Sequence, residues 1–151
     1  MSTTTHGILI ALSSKRLALL ESEPETLEDV VEARHEDAIP GLLDLQTHWE
    51  TLDMLLSGRG REEILGDAIL ARTGKRLSVD TAFEQARVLS PQRVAEVAAK
   101  LAGVSVATLK ERAQQLGKAK ELDALVDLYE QILDLYADAV KGKQSMLCLL
   151  V

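Results

Sequence analysis

Trp49 and Asp53 are the pair of residues in this sequence whose types and spacing most directly suggest chemistry. Positions four residues apart share one face of a helix, so an indole ring and a carboxylate would lie side by side. An aromatic wall beside a carboxylate can bind a small cation or act as a general base, and Arg87 would complete such a pocket. The alternative interpretation is that Trp49 packs in the core while Asp53 is solvated.

The residues that usually bind metals and cofactors are sparse. The histidines are His6, His35 and His48, and no two of them are spaced three or four residues apart as a helical metal site requires. The sequence has one cysteine, Cys148, whereas a cysteine-based zinc site or an intrachain disulfide needs more than one. The sequence also has no glycine-rich phosphate loop. We therefore expect no metal and no cofactor.

The last four residues, Cys-Leu-Leu-Val, match the short C-a-a-X prenylation pattern. A buried strand over residues 146–151 explains the same apolar residues and their neighbours, so we favour the strand, with Cys148 as a buried, reduced thiol. No apolar run approaches the roughly 20 residues that a membrane-spanning helix needs. The expectation is a cytoplasmic protein with no membrane association.

The acidic residues are concentrated in one segment. The net charge is −7, and residues 21–37 contain eight acidic residues with a single basic one, Arg34, while the rest of the chain has 16 of each sign. Nucleic acids and anionic lipids are bound by basic surfaces, so neither is an expected partner. The segment is either a solvated helix face or a docking surface for a basic protein. The candidate docking residues are Glu25, Glu28, Asp29, Glu32, Glu36 and Asp37.

The first half of the chain shows both strand and helix patterns. Residues 7–12 form a continuous apolar run, which is typical of a strand buried on both faces. Residues 41–57 carry apolar side chains at spacings of three and four, which predicts one helix. Residues 59–89 are weakly patterned and contain three glycines, which indicates a loop with short elements. The predicted helix stripe consists of Leu42, Leu45, Trp49, Leu52 and Leu56.

The second half is dominated by helices. Ser90-Pro91 is a strong helix start, because the serine can cap the helix and proline suits its first turn. A long amphipathic helix is predicted over residues 120–140, and the terminal strand follows at 146–151. These patterns predict a single α+β domain over residues 1–151, with five or six helices packed around a small sheet that includes the first and last strands.

From Leu45 onward several short motifs stand out: Leu45, Trp49, Leu52, Leu55, Leu56, Gly58, Gly66, Ala68-Ile69-Leu70, Ala86-Arg87, Leu89-Ser90-Pro91, Val94, the long helix with two tyrosines and the terminal strand. In these residues the sequence resembles the YfbM-like family of bacterial domains of unknown function. The resemblance implies a compact mixed fold and no established activity. This chain has Thr47 where the family pattern has a basic residue, and Asp53 where it often has a histidine. If that histidine were catalytic, this protein would have lost or altered the activity.

Two functions are consistent with these observations. We favour a non-catalytic acidic domain that binds a basic protein, for example an immunity or antitoxin-like factor, since the negative charge is localised and familiar catalytic motifs are missing. The alternative is a small-ligand-binding or enzymatic domain with a pocket near Trp49, Asp53 and Arg87. The sequence makes no prediction about the oligomeric state.

Overall fold

The computed structural model describes residues 5–23, 25–34, 39–58, 60–77 and 85–151. Within these ranges the chain forms five strands, seven α-helices and one short 3-10 helix at Ala119–Glu121. The strands are β1 Gly7–Leu12, β2 Leu42–Gln46, β3 Lys75–Arg76, β4 Gln85–Leu89 and β5 Ser145–Leu150. The helices are α1 Ser14–Ser22, α2 Glu25–Ala33, α3 Trp49–Ser57, α4 Asp67–Leu70, α5 Pro91–Ala102, α6 Val106–Gln115 and α7 Leu122–Lys141.

The five strands form one antiparallel sheet in the order β2-β1-β5-β4-β3. The first and last strands pair along their whole length, with Leu9 opposite Cys148 at the centre of the sheet. The prediction that both apolar runs belong to one sheet is confirmed, and the last strand begins one residue earlier than predicted. The predicted α+β fold is likewise confirmed.

Helices cover both faces of the sheet, which explains why β1 and β5 lack polar alternation. Successive strand residues point to opposite faces. On one face, Ile8 and Leu149 pack with Leu27 and Val31 of α2. On the other face, residues such as Cys148 join the larger core formed with α3 to α7. Side chains on either face of the central strands are therefore withdrawn from water.

The prediction of one helix over residues 41–57 is wrong in its first part. Leu42–Gln46 is the edge strand β2, which pairs with β1, and α3 begins only at Trp49. Gly41 and Gln46 adopt positive φ angles of 78° and 54°, which interrupt any helix at both ends of the strand. Two leucines three residues apart fit either structure, since a half-exposed edge strand tolerates apolar residues on both faces.

The remaining elements follow the predictions more closely. Ser90 caps α5 by accepting a hydrogen bond from the Arg93 amide, and α7 matches the predicted long helix. Residues 59–89 contain the short elements α4 and β3, as expected, but also the five-residue strand β4. The described residues hold seven α-helices, which exceeds the five or six predicted. None of these helices has the length and apolar character needed to cross a membrane.

Candidate functional site

The acidic side chains of α2 form one exposed surface. Leu27 and Val31 are buried against the sheet, while the carboxylates on the rest of the helix face solvent. We call the group Glu25, Glu28, Asp29 and Glu32 the acidic surface. The other two predicted docking residues, Glu36 and Asp37, lie outside the described residues.

Arg34, the single basic residue of this segment, is directed away from the acidic surface. Its Nε donates to Asp44 Oδ2 on β2 at 3.0 Å, and its Nη1 donates to the Val31 carbonyl. The ion pairs of the described residues within 4.0 Å involve carboxylates other than those of the acidic surface. The acidic surface thus lacks a compensating charge from the described part of the chain.

Trp49, the first residue of the candidate pocket, is half-buried and packs against the larger core. Its Nε1 donates to the Thr5 carbonyl at 3.0 Å. The indole also lies against Gly7 of β1, where an added Cβ would sit 2.4 Å from the Trp49 Cβ. Trp49 therefore joins α3 to the start of the sheet.

Asp53, the second residue of that pocket, is buried and ion-paired. Its two carboxylate oxygens each accept a hydrogen bond of 2.7 Å from Arg72, and Ser57 Oγ donates to Oδ1 at 3.1 Å. The hydrogen bond with Asp53 is the main cause that raises the pKa of Arg72. The expectation of a solvated carboxylate is wrong, because the side chain is only 5% exposed.

Arg87, the third residue, makes a separate contact: its Nη1 donates to the Gly74 carbonyl at 3.2 Å. The side chains of Trp49, Asp53 and Arg87 thus contact three different parts of the chain. The basic partner of Asp53 is Arg72, which was not among the predicted pocket residues. No local pattern links Asp53 with Arg72, since they lie 19 positions apart.

A second buried carboxylate, Asp67, was not predicted. Its side chain is fully buried and accepts hydrogen bonds from the Thr73 amide at 2.7 Å, the Thr73 hydroxyl, and Arg93 Nε at 2.6 Å. The hydrogen bond with Asp67 is the largest cause that raises the pKa of Arg93. The only sequence signal is an acidic residue at the start of a helix, which is too common to identify a site.

The two buried aspartates join α3, α4 and the start of α5 to the turn at residues 72–73. Asp53 and Asp67 both have charged partners and several donors, which is how proteins accommodate buried carboxylates. Tyr136 reaches the same region and donates to the Ala68 carbonyl at 2.6 Å. Burial raises the pKa of both Tyr136 and Cys148, so these two groups stay protonated at neutral pH. The arrangement fixes the position of this part of the chain.

Two neighbouring cavities lie where β3 and β4 meet the start of α5. One, of about 300 Å³, is mainly apolar and also reaches α1; we call it the apolar cavity. The other, of about 360 Å³, is more polar and is lined in part by Thr73 and Arg93. Lys75, Val88 and Ser90 line both.

Two further cavities lie between α3 and α6 and beside Asp44. Trp49, Asp53 and Arg87 line none of these four cavities. Among the described residues, no three His, Cys, Asp or Glu side chains form a set that could hold a metal ion.

In the described residues, a five-stranded antiparallel sheet with helices on both faces, two buried aspartates paired with arginines and an acidic helix together define a small α+β domain. The model of the family described as "Domain of unknown function (DUF1877)" matches residues 1–149, and the chain belongs to that family. The resemblance to the YfbM-like family is thereby confirmed.

Comparison with solved structures gives the same fold. The structure of "a protein of unknown function YfbM from Escherichia coli" is similar with a TM-score of 0.67 and 14% sequence identity, and the likeness covers 97% of this chain and 99% of that one. No curated protein matches the chain.

Proposed function

We propose that this domain binds a basic protein through the acidic surface of α2. The observation that carries the proposal is that Glu25, Glu28, Asp29 and Glu32 are all exposed, while Arg34 is held by Asp44. The negative charge of this helix is therefore available to another molecule. A partner with a complementary positive surface would be attracted from a distance and oriented as it approached.

The fold itself gains little from these charges. Glu28 and Glu32 are four residues apart on one helix, where like charges destabilise the helix by about 0.2–0.5 kcal/mol. The helix dipole is complemented by Glu25 and Glu28 in the first turn but not by Glu32 near the other end. Charge that folding does not need is consistent with a role in recognition.

An apolar contact on the neighbouring helix would supply affinity. Leu19 of α1 is 48% exposed, although α1 and α2 belong to the same layer of the fold. Interfaces commonly combine an apolar anchor with surrounding charges that select the partner. We expect the partner to place an apolar side chain on Leu19 and basic side chains along α2.

The role would be like that of an immunity protein or antitoxin. Proteins that act on nucleic acids carry basic surfaces that contact phosphates. An acidic helix can occupy such a surface in place of the nucleic acid and so block its activity. The proposal places the partner among basic proteins and requires no catalysis by this domain.

The proposal is tested with two variants that change the net charge equally. In the first, Glu25, Glu28, Asp29 and Glu32 are replaced by Lys. In the control, four exposed carboxylates of α7, on the other side of the sheet, are replaced instead: Asp123, Asp127, Glu130 and Asp134. Circular dichroism checks that both variants fold. Each protein is then used to capture partners from the native cell extract by crosslinking. The captured protein is purified, and its affinity for each variant is measured.

The expected result is one basic protein that binds the wild type and the α7 control but not the α2 variant, with an affinity that falls steeply as salt is added. Leu19→Ser should weaken the same complex without changing its salt dependence. Equal loss of binding in both charge variants would indicate a nonspecific charge effect and would refute docking at α2, as would unchanged binding by the α2 variant.

A further inference from the structure

We propose that the apolar cavity binds a zwitterionic α-amino acid with an apolar side chain, of about the size of leucine. This activity goes beyond the binding of a basic protein, and it uses no residue of the acidic surface. The cavity lies between α1, the β3–β4 edge of the sheet and the start of α5.

The volume sets the size of the ligand. The cavity measures about 300 Å³, at the lower end of the range for small-molecule sites. Because one water molecule occupies about 30 Å³ in the liquid, this space corresponds to about ten non-hydrogen atoms. Leucine, isoleucine and methionine have nearly this size, whereas nucleotides and most cofactors are far larger.

The residues that line the cavity indicate that the ligand has an apolar side chain. Leu17 on α1, Leu77 and Val88 on the sheet side, and Pro91 at the start of α5 line the cavity. Leu77 is 7% exposed, and Leu17 and Val88 are half-buried against the smaller core. A branched aliphatic side chain would bury its surface against this lining, which favours binding in proportion to the apolar area covered.

Charges of both signs line the same cavity. Glu21 extends from α1, while Lys75 lies on β3 in register with Val88, and Arg76 follows it. Glu21 and Lys75 are not within 4.0 Å of each other among the ion pairs of the described residues. A ligand with an ammonium group toward Glu21 and a carboxylate toward Lys75 would satisfy both charges at once.

The charge pattern favours a zwitterion over singly charged ligands. A fatty acid would place its carboxylate among Lys75 and Arg76 but leave Glu21 without a partner, and a simple amine would do the reverse. Ser90 strengthens the carboxylate end: its Oγ already accepts from the Arg93 amide at 3.2 Å, so its own O–H can donate to the ligand.

The ligand test uses three probes with the same branched alkyl chain. Leucine, 4-methylpentanoate (which lacks the ammonium) and 3-methylbutylamine (which lacks the carboxylate) are titrated into the full chain by calorimetry. NMR shifts of the Leu77, Val88 and Ser90 amides locate the site. We expect leucine to bind at millimolar concentration or below, and each single-charge probe to bind roughly two- to fivefold more weakly. The proposal fails if leucine does not bind, or if either analogue binds as tightly.

Substitutions of the exposed lining residues Glu21 and Lys75 test the contribution of each charge without disturbing the core. Glu21→Gln should weaken leucine roughly two- to fivefold but not 4-methylpentanoate, and Lys75→Gln should weaken leucine but not 3-methylbutylamine. Glu23→Gln and Lys100→Gln, exposed residues outside the cavity lining, are the matched controls. Unchanged leucine affinity in both cavity variants would overturn the proposal. The α2 charge-reversal variant should bind leucine normally, which distinguishes this site from the docking surface.

Discussion

Arg72 donates hydrogen bonds to Asp53 from both terminal guanidinium nitrogens, each of which lies 2.7 Å from a different carboxylate oxygen. The carboxylate is 5% exposed, whereas the arginine side chain is 34% exposed. The pair therefore lies at the boundary between core and solvent, and it ties the middle of α3 to the turn that follows α4. Two parallel hydrogen bonds of this kind fix orientation as well as distance.

Removing Arg72 should destabilise the fold more than its position on the surface suggests. Arg72→Met leaves the Asp53 carboxylate buried with Ser57 as its remaining side-chain donor, and we expect a loss of about 2 kcal/mol in the free energy of unfolding. Urea denaturation of Arg72→Met, Asp53→Asn and the double variant gives the coupling energy, expected at about 1–2 kcal/mol. Arg61→Met, at an exposed arginine, is the control. Additive effects would show that the ion pair contributes nothing.

Cys148 should be unreactive in the folded protein and should make stability pH-dependent at high pH. Burial raises the pKa of the thiol well above its ordinary value of 9.0. The unfolded chain therefore loses the thiol proton as the pH rises past about 9, while the folded chain keeps it. The contribution of the Cys148 thiol to the free energy of unfolding is complete below that pH and falls by about 1.4 kcal/mol per pH unit above it.

The measurement compares wild type with Cys148→Ala by urea denaturation from about pH 8 to pH 11. The wild type should lose stability more steeply, by about 1.4 kcal/mol per pH unit, because the variant lacks this titrating group. Tyr129 titrates in both proteins, so its effect cancels in the comparison. Tyr136 interacts with Cys148 in the wild type, but burial, the main cause that raises the pKa of Tyr136, is present in both proteins. Parallel curves, or rapid labelling of the native thiol at neutral pH, would contradict the buried position.

Trp49 should contribute to stability through packing and through one hydrogen bond. Trp49→Ala is expected to cost about 3 kcal/mol, at the lower end for large apolar truncations because the side chain is half-buried. Trp49→Phe keeps the aromatic ring but removes the bond to the Thr5 carbonyl, and should cost about 1 kcal/mol. Fluorescence typical of a fully solvated indole, with little stability lost on truncation, would indicate a binding surface instead.

Gly7→Ala tests the same contact from the sheet side. The new methyl group would lie 2.4 Å from the Trp49 Cβ and 2.8 Å from its Cγ, so β1 or α3 must shift. Overpacking of this kind costs about 1–3 kcal/mol. Gly103→Ala is a suitable control, because the nearest atom to its added Cβ is 3.4 Å away. Equal stability of the two variants would argue against close packing at Gly7.

The strands that could be predicted from the sequence are those whose residues are almost all apolar. β1 and β5 are apolar on both sides because both sheet faces are covered, and this leaves a continuous apolar run. β2 was mistaken for helix because the spacing of Leu42 and Leu45 fits both structures. β4 was missed because Gln85 and Arg87 interrupt its apolar residues, although the strand lies between two others in the sheet.

The candidate sites were less predictable, because their residues meet only in three dimensions. Asp67 and Arg93 lie 26 positions apart, and no spacing rule connects them. The apolar cavity draws residues from α1, the β3–β4 edge and α5, so it has no signature in any single segment. The acidic surface was visible in advance because its residues are local and exposure follows from amphipathic spacing.

The two ends of α2 should respond oppositely to charge reversal. Glu25 lies in the first turn, where a negative charge is favourable, but it also lies four residues before Asp29, so Glu25→Lys should cost only about 0.2 kcal/mol. Glu32 lies in the last turn, four residues after Glu28. Glu32→Lys should therefore stabilise the protein by about 0.5 kcal/mol, since it complements the dipole and replaces a repulsion with an attraction. Thermal unfolding at low salt measures both changes.

Salt separates this local effect from the overall charge of the chain. In about 1 M NaCl the screening length falls to about 3 Å, and both variants should approach wild-type stability. If both variants stabilise the protein at low salt, relief of the overall negative charge outweighs the position of each residue on the helix. Stability changes of opposite sign in the two variants would instead show that Glu32 destabilises the fold. A carboxylate at a position where lysine gives a more stable protein would then have a role other than folding. The proposed binding to a basic partner would supply such a role.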